Sequence, residues 1–508
     1  MSRNGYACEQ GKWPKAQDIY NELHELTSKP IYCVSDAAYK DIVENYFDKQ
    51  CAKSKAITTE AKQYIPGGVQ HNLAFNKPFP MCMVKAEGAY LYDADGNKYF
   101  DFLQAGGPTI LGSNFPEVQE QAIELIKSCG PVTGLFHEAE LLLAKEINKH
   151  MPACEMFRML GSGTESVMAA IRVSRCATKN KRVIKVGGAY HGWSDQMVYG
   201  LKIPGSRNLL ESHGIPKGCF GSTDEVRPND LKMLEGMLRR NKLRGGTACV
   251  IVEPVGPESG TRPIDFDYNQ KALELAHKYG ALFIFDEVVT GFRMGLGGAQ
   301  GFFNVKPDLT IFGKIIAGGY PAAGGVGGKR EYISLMAAGL GKKAYVGGTL
   351  AANPLSAYAG YCCIKAIEKY NACEKAGIAG DRLAAGLKVL VKKHNLPYVV
   401  YNQGSIVHLE CTGAMSFDYS SFSFLKSALG LLKNKPEMEA RAEAMKDMGA
   451  AYMANGIVTL AGSRLYTSMA DTDEVIDAAL ERFDKVFSLV KAQGTPELQR
   501  SFEKPKKK

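Results

Sequence analysis

The chain has 508 residues, 45% of them hydrophobic and 23% charged, a globular composition long enough for two lobes and a large core. Its net charge of +9 is mild for that length, and no basic patch is interleaved with aromatics; this fits small anionic substrates, or merely Lys-rich usage, better than a nucleic-acid surface. Thirteen cysteines without a Cys-x-x-Cys pair read as reduced thiols rather than a disulfide framework. With no bilayer-length apolar run and no signal-like segment behind Met1, they make a cytoplasmic protein without a membrane role the expectation. The nine histidines include no His-x-His or His-Glu-x-x-His, so no metal site is expected.

Residues 1–60 read as a helical N-terminal extension. Ser35 is placed to cap a helix whose Tyr39, Ile42, Val43, Tyr46 and Phe47 share one face, which predicts packing on its own lobe or on a second subunit in preference to a lid or a partner-binding arm. Residues 61–110 open a small domain, with a turn at Pro66-Gly67-Gly68 and two β-rich runs flanking the hairpin turn Asp95-Gly96. Asp93-x-Asp95-Gly96 is not a calcium loop, because the glycine falls too early. From 111 to 358, helical stretches alternate with buried strands predicted at 182–186, 248–252, 282–285 and 309–312, the pattern of a mostly parallel sheet in a large α/β domain. Residues 359–508 read as the C-terminal part of the small α+β domain, with helices predicted at 359–370, 381–394 and 473–490. The tail Lys506-Lys507-Lys508 reads as a solvated end.

Chemistry-bearing residues fall at the ends of those strands. Asp286 closes the 282–285 strand, where open α/β sheets place their ligands, and Lys314 follows the 309–312 strand. A lysine that forms a Schiff base and a carboxylate that keeps a pyridine nitrogen protonated are the two groups pyridoxal 5'-phosphate (PLP) chemistry requires. Gly161-Ser162-Gly163-Thr164-Glu165 precedes a helix predicted at 167–176, offering hydroxyls, free amides and a positive dipole end to a phosphate. It lacks the Gly-Lys-Ser/Thr of a nucleotide P-loop. Tyr190, between Gly188 and Gly192 after the 182–186 strand, is a candidate to stack on a planar ring. Gly347-Gly348-Thr349 offers a second phosphate contact ahead of another helix.

Taken together, the Gly-Ser-Gly-Thr-Glu loop, Tyr190-His191-Gly192, Glu253-Pro254, Asp286-Glu287-Val288, Lys314 and Gly348-Thr349 resemble, in order and spacing, the class III PLP-dependent aminotransferases. Within that class the chain looks most similar to the glutamate-1-semialdehyde 2,1-aminomutase subgroup, over residues 62–490. The resemblance implies PLP fold type I, with the small domain built from N- and C-terminal segments, and a homodimer whose active sites are shared between subunits. It further implies that Lys314 carries PLP and moves the substrate proton, Asp286 pairs with the ring nitrogen and Tyr190 stacks on the ring. Ser162, Gly163 and Thr164 would hold the phosphate with Thr349 from the other subunit, and Glu253 and Glu258 would lie on the side of the cofactor's phenolic oxygen.

Two departures bear on the substrate. The subgroup carries Gly-Gly-Val-Asn-Ser-Pro-Val-Arg, whose arginine holds a carboxylate; here the stretch is Gly67-Gly68-Val69-Gln70-His71-Asn72-Leu73-Ala74-Phe75, without arginine. The subgroup's Phe-Glu-x-x-Phe-x-Ser becomes Gly462-Ser463-Arg464-Leu465-Tyr466-Thr467-Ser468, so the acid is lost and a basic residue stands beside it. Gln70, His71 and Arg464 are therefore the candidate substrate residues. The expected reaction is amino transfer from a 3-amino substrate to an oxo acid such as 2-oxoglutarate. A 3-aminoacyl-CoA thioester such as 3-aminobutanoyl-CoA is one donor that would not need the lost clamp, and the intramolecular aminomutase reaction is the alternative.

Overall fold

The computed structural model describes residues 3–201, 203–205, 213–337, 343–419 and 424–493, so the Lys506–Lys508 tail lies outside the described residues. At its centre is a seven-stranded sheet in the order Met156–Leu160, Gly324–Gly328, Leu309–Gly313, Leu282–Asp286, Thr247–Val252, Arg182–Val186 and Thr223–Val226. The pairs among the last five strands are parallel, while Gly324–Gly328 runs antiparallel to both of its neighbours. Every residue of the 182–186, 247–252, 282–286 and 309–313 strands is buried, as expected where helices cover both faces of the sheet.

The Gly324–Gly328 strand, Gly-Gly-Val-Gly-Gly, carries no β-propensity, and the close approach of its neighbours explains its composition. A Cβ on Gly324 would lie 2.2 Å from the Ser162 carbonyl oxygen, and one on Gly325 2.4 Å from the Phe157 ring. The bare strand thus lets the 161–164 loop rest directly on the sheet.

The second lobe combines both ends of the chain. Ile457–Val458 joins Lys98–Asp101, Tyr90–Asp93 and Met83–Glu87 in a four-stranded sheet, with Ile457 opposite Phe100. A three-stranded sheet, Val399–Gln403, Ile406–Glu410 and Arg464–Tyr466, lies beside the helices Ala372–Lys393 and Asp473–Ser488. The 473–490 helix ends two residues short of its expected limit, because Val490–Ala492 turns back to pair with Tyr32–Val34.

Residues 3–60 are spread over both lobes. Ser35 Oγ accepts the Ala38 N–H as a helix cap, and Phe47 and Cys51 sit in the small-lobe core. Trp13 packs 5.0 Å from the Phe303 ring on the large lobe and donates its indole N–H to the Ile264 carbonyl at 2.8 Å. No helix among the described residues is long and apolar enough to cross a membrane.

Candidate active site

Four neighbouring parallel strands deliver their following residues to the same edge of the sheet: Tyr190 and His191 after 182–186, Glu253 and Glu258 after 247–252, Asp286 at the end of 282–286, and Lys314 after 309–313. This is the carboxyl edge, where such sheets bind ligands. A cavity of about 370 Å³ opens there, lined by Ser162, Gly163, Thr164, Tyr190, Asp286 and Lys314, with His71, His191 and Tyr320 completing its polar wall.

Lys314 begins a short helical turn with φ +50°, a left-handed conformation rare for a side-chain-bearing residue and a known mark of functional sites. Burial, then the positive charges of Arg464 and Arg293, bring its amine down to about 8 against the opposing pull of Glu258 and Asp286. A lysine so placed is a nucleophile near neutral pH. Its side chain runs along the Gly106–Gly107 turn, where a Cβ on Gly106 would lie 3.5 Å from Nζ and one on Gly107 3.5 Å from Cδ.

Asp286 is buried and its Oδ2 lies 2.7 Å from His191 Nδ1, while Oδ1 accepts the Val288 N–H at 3.1 Å. Burial lowers the His191 pKa despite the adjacent carboxylate, so the ring is neutral at pH 7 with its Nδ1 proton directed at Asp286. His191 Nε2 is buried without a hydrogen-bond partner.

Across the cavity, the helix Gly163–Thr178 presents its N-terminus, with Ser162 Oγ accepting the Glu165 N–H at 3.2 Å. Gly192 is held against this end: with φ +81°, its missing Cβ would lie 2.4 Å from Thr164 Oγ1. The cradle is open because no side chain occupies that point. Tyr190 stands half exposed on the cavity wall.

Glu253 and Glu258 sit behind the cavity wall. Glu253 is buried and accepts the amides of Tyr190 (2.9 Å), Glu258 (2.9 Å) and Ser259 (2.7 Å), fixing the two loops relative to each other. Burial, then Asp286 and Glu258, push its carboxyl up to about 8. Glu258, at φ +54°, meets Arg464 through an ion pair of 3.1 Å and through its carbonyl oxygen. Burial opposes the Arg464 charge, but Tyr466 and Glu258 outweigh it and its pKa is raised.

The structure therefore gathers Ser162, Gly163, Thr164, Tyr190, Asp286, Lys314 and His71 at one cavity, and seats Arg464 and Glu258 beside the lysine. Gln70 is exposed. Thr349 is also exposed and borders a separate groove of about 700 Å³ with Leu125, Ile126, Glu165 and Leu350. Sequence reasoning gave no role to His191, Arg293 or the 104–107 turn, although the first two lie within or beside quoted motifs. A histidine directly after Tyr190 at a strand end was the available signal for the first. Elsewhere, Glu146, His150 and Glu368 cluster, with Lys149 and Lys365 supplying countercharge.

The residues fit PLP: a lysine amine that is readily neutral, a buried carboxylate opposite a helix N-terminus, and a cradle at Gly192 free of side chains. The aminotransferase class-III family model matches residues 74–487. A glutamate-1-semialdehyde 2,1-aminomutase of Acetivibrio thermocellus is 36% identical over 445 residues, covering 86% of this chain and 98% of that protein. The enzyme of the same name from Methanosphaera stadtmanae is 36% identical over 388 residues, covering 75% and 90%. Among solved structures, an omega-transaminase from Sphaerobacter thermophilus superimposes with a TM-score of 0.75 at 25% identity, covering 87% of this chain and 99% of its own. A transaminase with PLP bound gives 0.74 at 26%, covering 86% and 97%. The fold is PLP fold type I, the cofactor is PLP, and the chain is an enzyme that belongs to the class-III aminotransferase family.

Proposed function

We propose that this enzyme moves an amino group on a small carboxylate substrate in the manner of the glutamate-1-semialdehyde 2,1-aminomutases, returning the amino group to the molecule it came from. The observation that carries this reading is the 36% identity to proteins of that name across 90–98% of their length. Bound PLP supplies an electron sink for the pair left when a proton is lost beside the amino group. Lys314 Nζ holds the cofactor and then moves that proton. Asp286, kept in place by His191, would pair with the ring nitrogen, and Tyr190 would stack on the ring. Ser162, Gly163 and Thr164 grip the phosphate at the helix N-terminus. The exposed Thr349, outside the Lys314 cavity, completes the phosphate site of a second copy in a homodimer. The exposed apolar side chains Leu135, Phe136, Tyr345 and Leu350 support such an interface.

A second reading, intermolecular transfer from a 3-amino donor to an oxo acid such as 2-oxoglutarate, is favoured by one feature. The 67–75 stretch brings His71 rather than an arginine to the cavity, and of the two cations that act on Lys314, Arg464 and Arg293, Arg464 is the stronger. Released from Glu258, its guanidinium offers a two-pronged anchor for the carboxylate of either partner. Nothing among the described residues singles out a coenzyme A thioester. The deciding experiment incubates PLP-loaded enzyme with glutamate 1-semialdehyde and no oxo acid, and in parallel with 3-aminobutanoate or 3-aminobutanoyl-CoA plus 2-oxoglutarate. Turnover of the semialdehyde alone supports the first reading. Strict dependence on an oxo-acid acceptor overturns it in favour of the second.

A further inference from the structure

Arg293 is completely buried, and it makes no ion pair among the described residues. Its Nη1 donates to Ser405 Oγ (3.1 Å) and the Thr467 carbonyl (2.9 Å), and its Nη2 to Gln104 Oε1 (3.2 Å) and the Gly107 carbonyl (2.7 Å). The guanidinium lies 5.0 Å from the centre of the Tyr466 ring. One side chain from the loop after Asp286 thus ties together the 104–107 turn, the 404–405 turn and the end of the Arg464–Tyr466 strand.

The 104–107 turn needs such a tie. Gln104, Ala105, Gly106 and Gly107 follow one another at φ +46°, +52°, +84° and +121°. Positive φ at the two non-glycine residues is strained and persists only where surrounding contacts over-determine it. Arg293 grips both ends of the strained turn, the Gln104 side chain and the Gly107 carbonyl. Between them lies the surface that Lys314 runs along. The Arg293 charge acts through a low-dielectric interior, where Asp471, its carboxyl pushed up to about 7 chiefly by burial, opposes it in part. Burial lowers Arg293 only to about 10, so it stays charged at neutral pH.

We propose that Arg293 is a positioning residue of the amino-transfer site: it clamps the strained 104–107 turn as the wall along Lys314, and its fixed positive charge disfavours a second positive charge at the lysine amine. This rests on Lys314 being the PLP-bearing lysine. The charged groups that act on that amine are Arg464, Arg293, Glu258 and Asp286, with His71, Tyr190, His191, Tyr320 and Tyr466 around them. Of the two cations, Arg464 is ion-paired with Glu258, whereas Arg293 makes no ion pair among the described residues and Asp471 acts on it from farther away.

The test uses the full chain freed of cofactor and titrated with PLP across pH 6–10. Visible absorbance reports cofactor capture, and thermal denaturation is measured separately. In Arg293→Met the pH midpoint of capture moves upward by at least about half a unit, roughly threefold in the protonation constant, and PLP binding weakens. Arg293→Lys restores the midpoint but not the affinity, because an ammonium cannot span the four acceptors. Gln104→Leu keeps the charge and loosens the clamp, so binding weakens with the midpoint unmoved; this variant decides the clamp should Arg293→Met fail to fold. Midpoints and affinities unchanged in all three variants, with only melting temperatures lowered, would overturn the proposal. Failure of the unsubstituted chain to capture PLP would instead reject the functional reading beneath it.

Discussion

Alanine in place of glycine inside a helix ordinarily stabilises by about 1 kcal/mol, and Gly360 is the position where this structure predicts the reverse. Gly360 lies within the helix Pro354–Tyr370, and that helix packs on the turn that begins at Lys314. A Cβ at 360 would stand 1.7 Å from the Ile316 carbonyl oxygen and 2.6 Å from its carbonyl carbon. Those are backbone atoms two residues from Lys314, so no side-chain rotation relieves the overlap. Restoring ordinary contact requires the helix and the 314–317 turn to separate by more than an ångström, and overpacking of this kind costs about 1–3 kcal/mol or more, exceeding the propensity gain. Gly360→Ala is therefore expected to lower stability by roughly 1–2 kcal/mol net and to weaken PLP capture by shifting Lys314 relative to Asp286. Denaturant unfolding of the cofactor-free chain and a PLP titration followed by visible absorbance measure the two effects. A variant as stable as, or more stable than, the parent with unaltered PLP affinity would refute the packing argument.

Three further outcomes follow from the same geometry. Gly192→Ala forces a left-handed φ on alanine and a 2.4 Å contact with Thr164 Oγ1, so PLP affinity falls at least about tenfold while free pyridoxal, lacking the phosphate, loses less; equal losses would place the damage elsewhere. Glu258→Gln leaves the Arg464 guanidinium freer, so a dicarboxylate such as 2-oxoglutarate binds the loaded enzyme more tightly, and weakened binding in a competition assay would argue against Arg464 as the carboxylate anchor. Because the Lys314 pKa is lowered to about 8, its neutral form is the majority above that pH. The rate of PLP capture should fall about tenfold per unit as pH drops below about 8 and level off above it, and a profile rising only near 10 would contradict the lowered value.

Much of the sheet was readable from sequence because its central strands are apolar, β-branched runs bounded by glycine or charge. The 182–186 prediction matches the observed strand, and 282–285 and 309–312 each fall one residue short. Three strands gave no such signal. Gly324–Gly328 is nearly all glycine, Thr223–Val226 is an edge strand with two acids, and Met156–Leu160 is broken by Arg158. Asp286 and Lys314 stood out because strand ends focus chemistry. His191 and Arg293 did not, since the His191 partner is 95 residues distant and the four acceptors of Arg293, two of them backbone carbonyls, come from three distant segments. Glu253 shows the converse: its sequence position suggested the cofactor, whereas its carboxylate is occupied by three backbone amides.

The central claim is that Lys314 carries PLP in this cavity and hands an amino group on. It is tested most directly by the visible absorbance spectrum of the purified full chain with PLP, alongside Lys314→Ala. In the parent chain a cofactor band is expected that is covalently trapped at Lys314 by borohydride, is replaced by the spectrum of the aminated cofactor when an amino donor is added, and is missing from the variant. A band unchanged in Lys314→Ala, or trapped at another lysine, would contradict it.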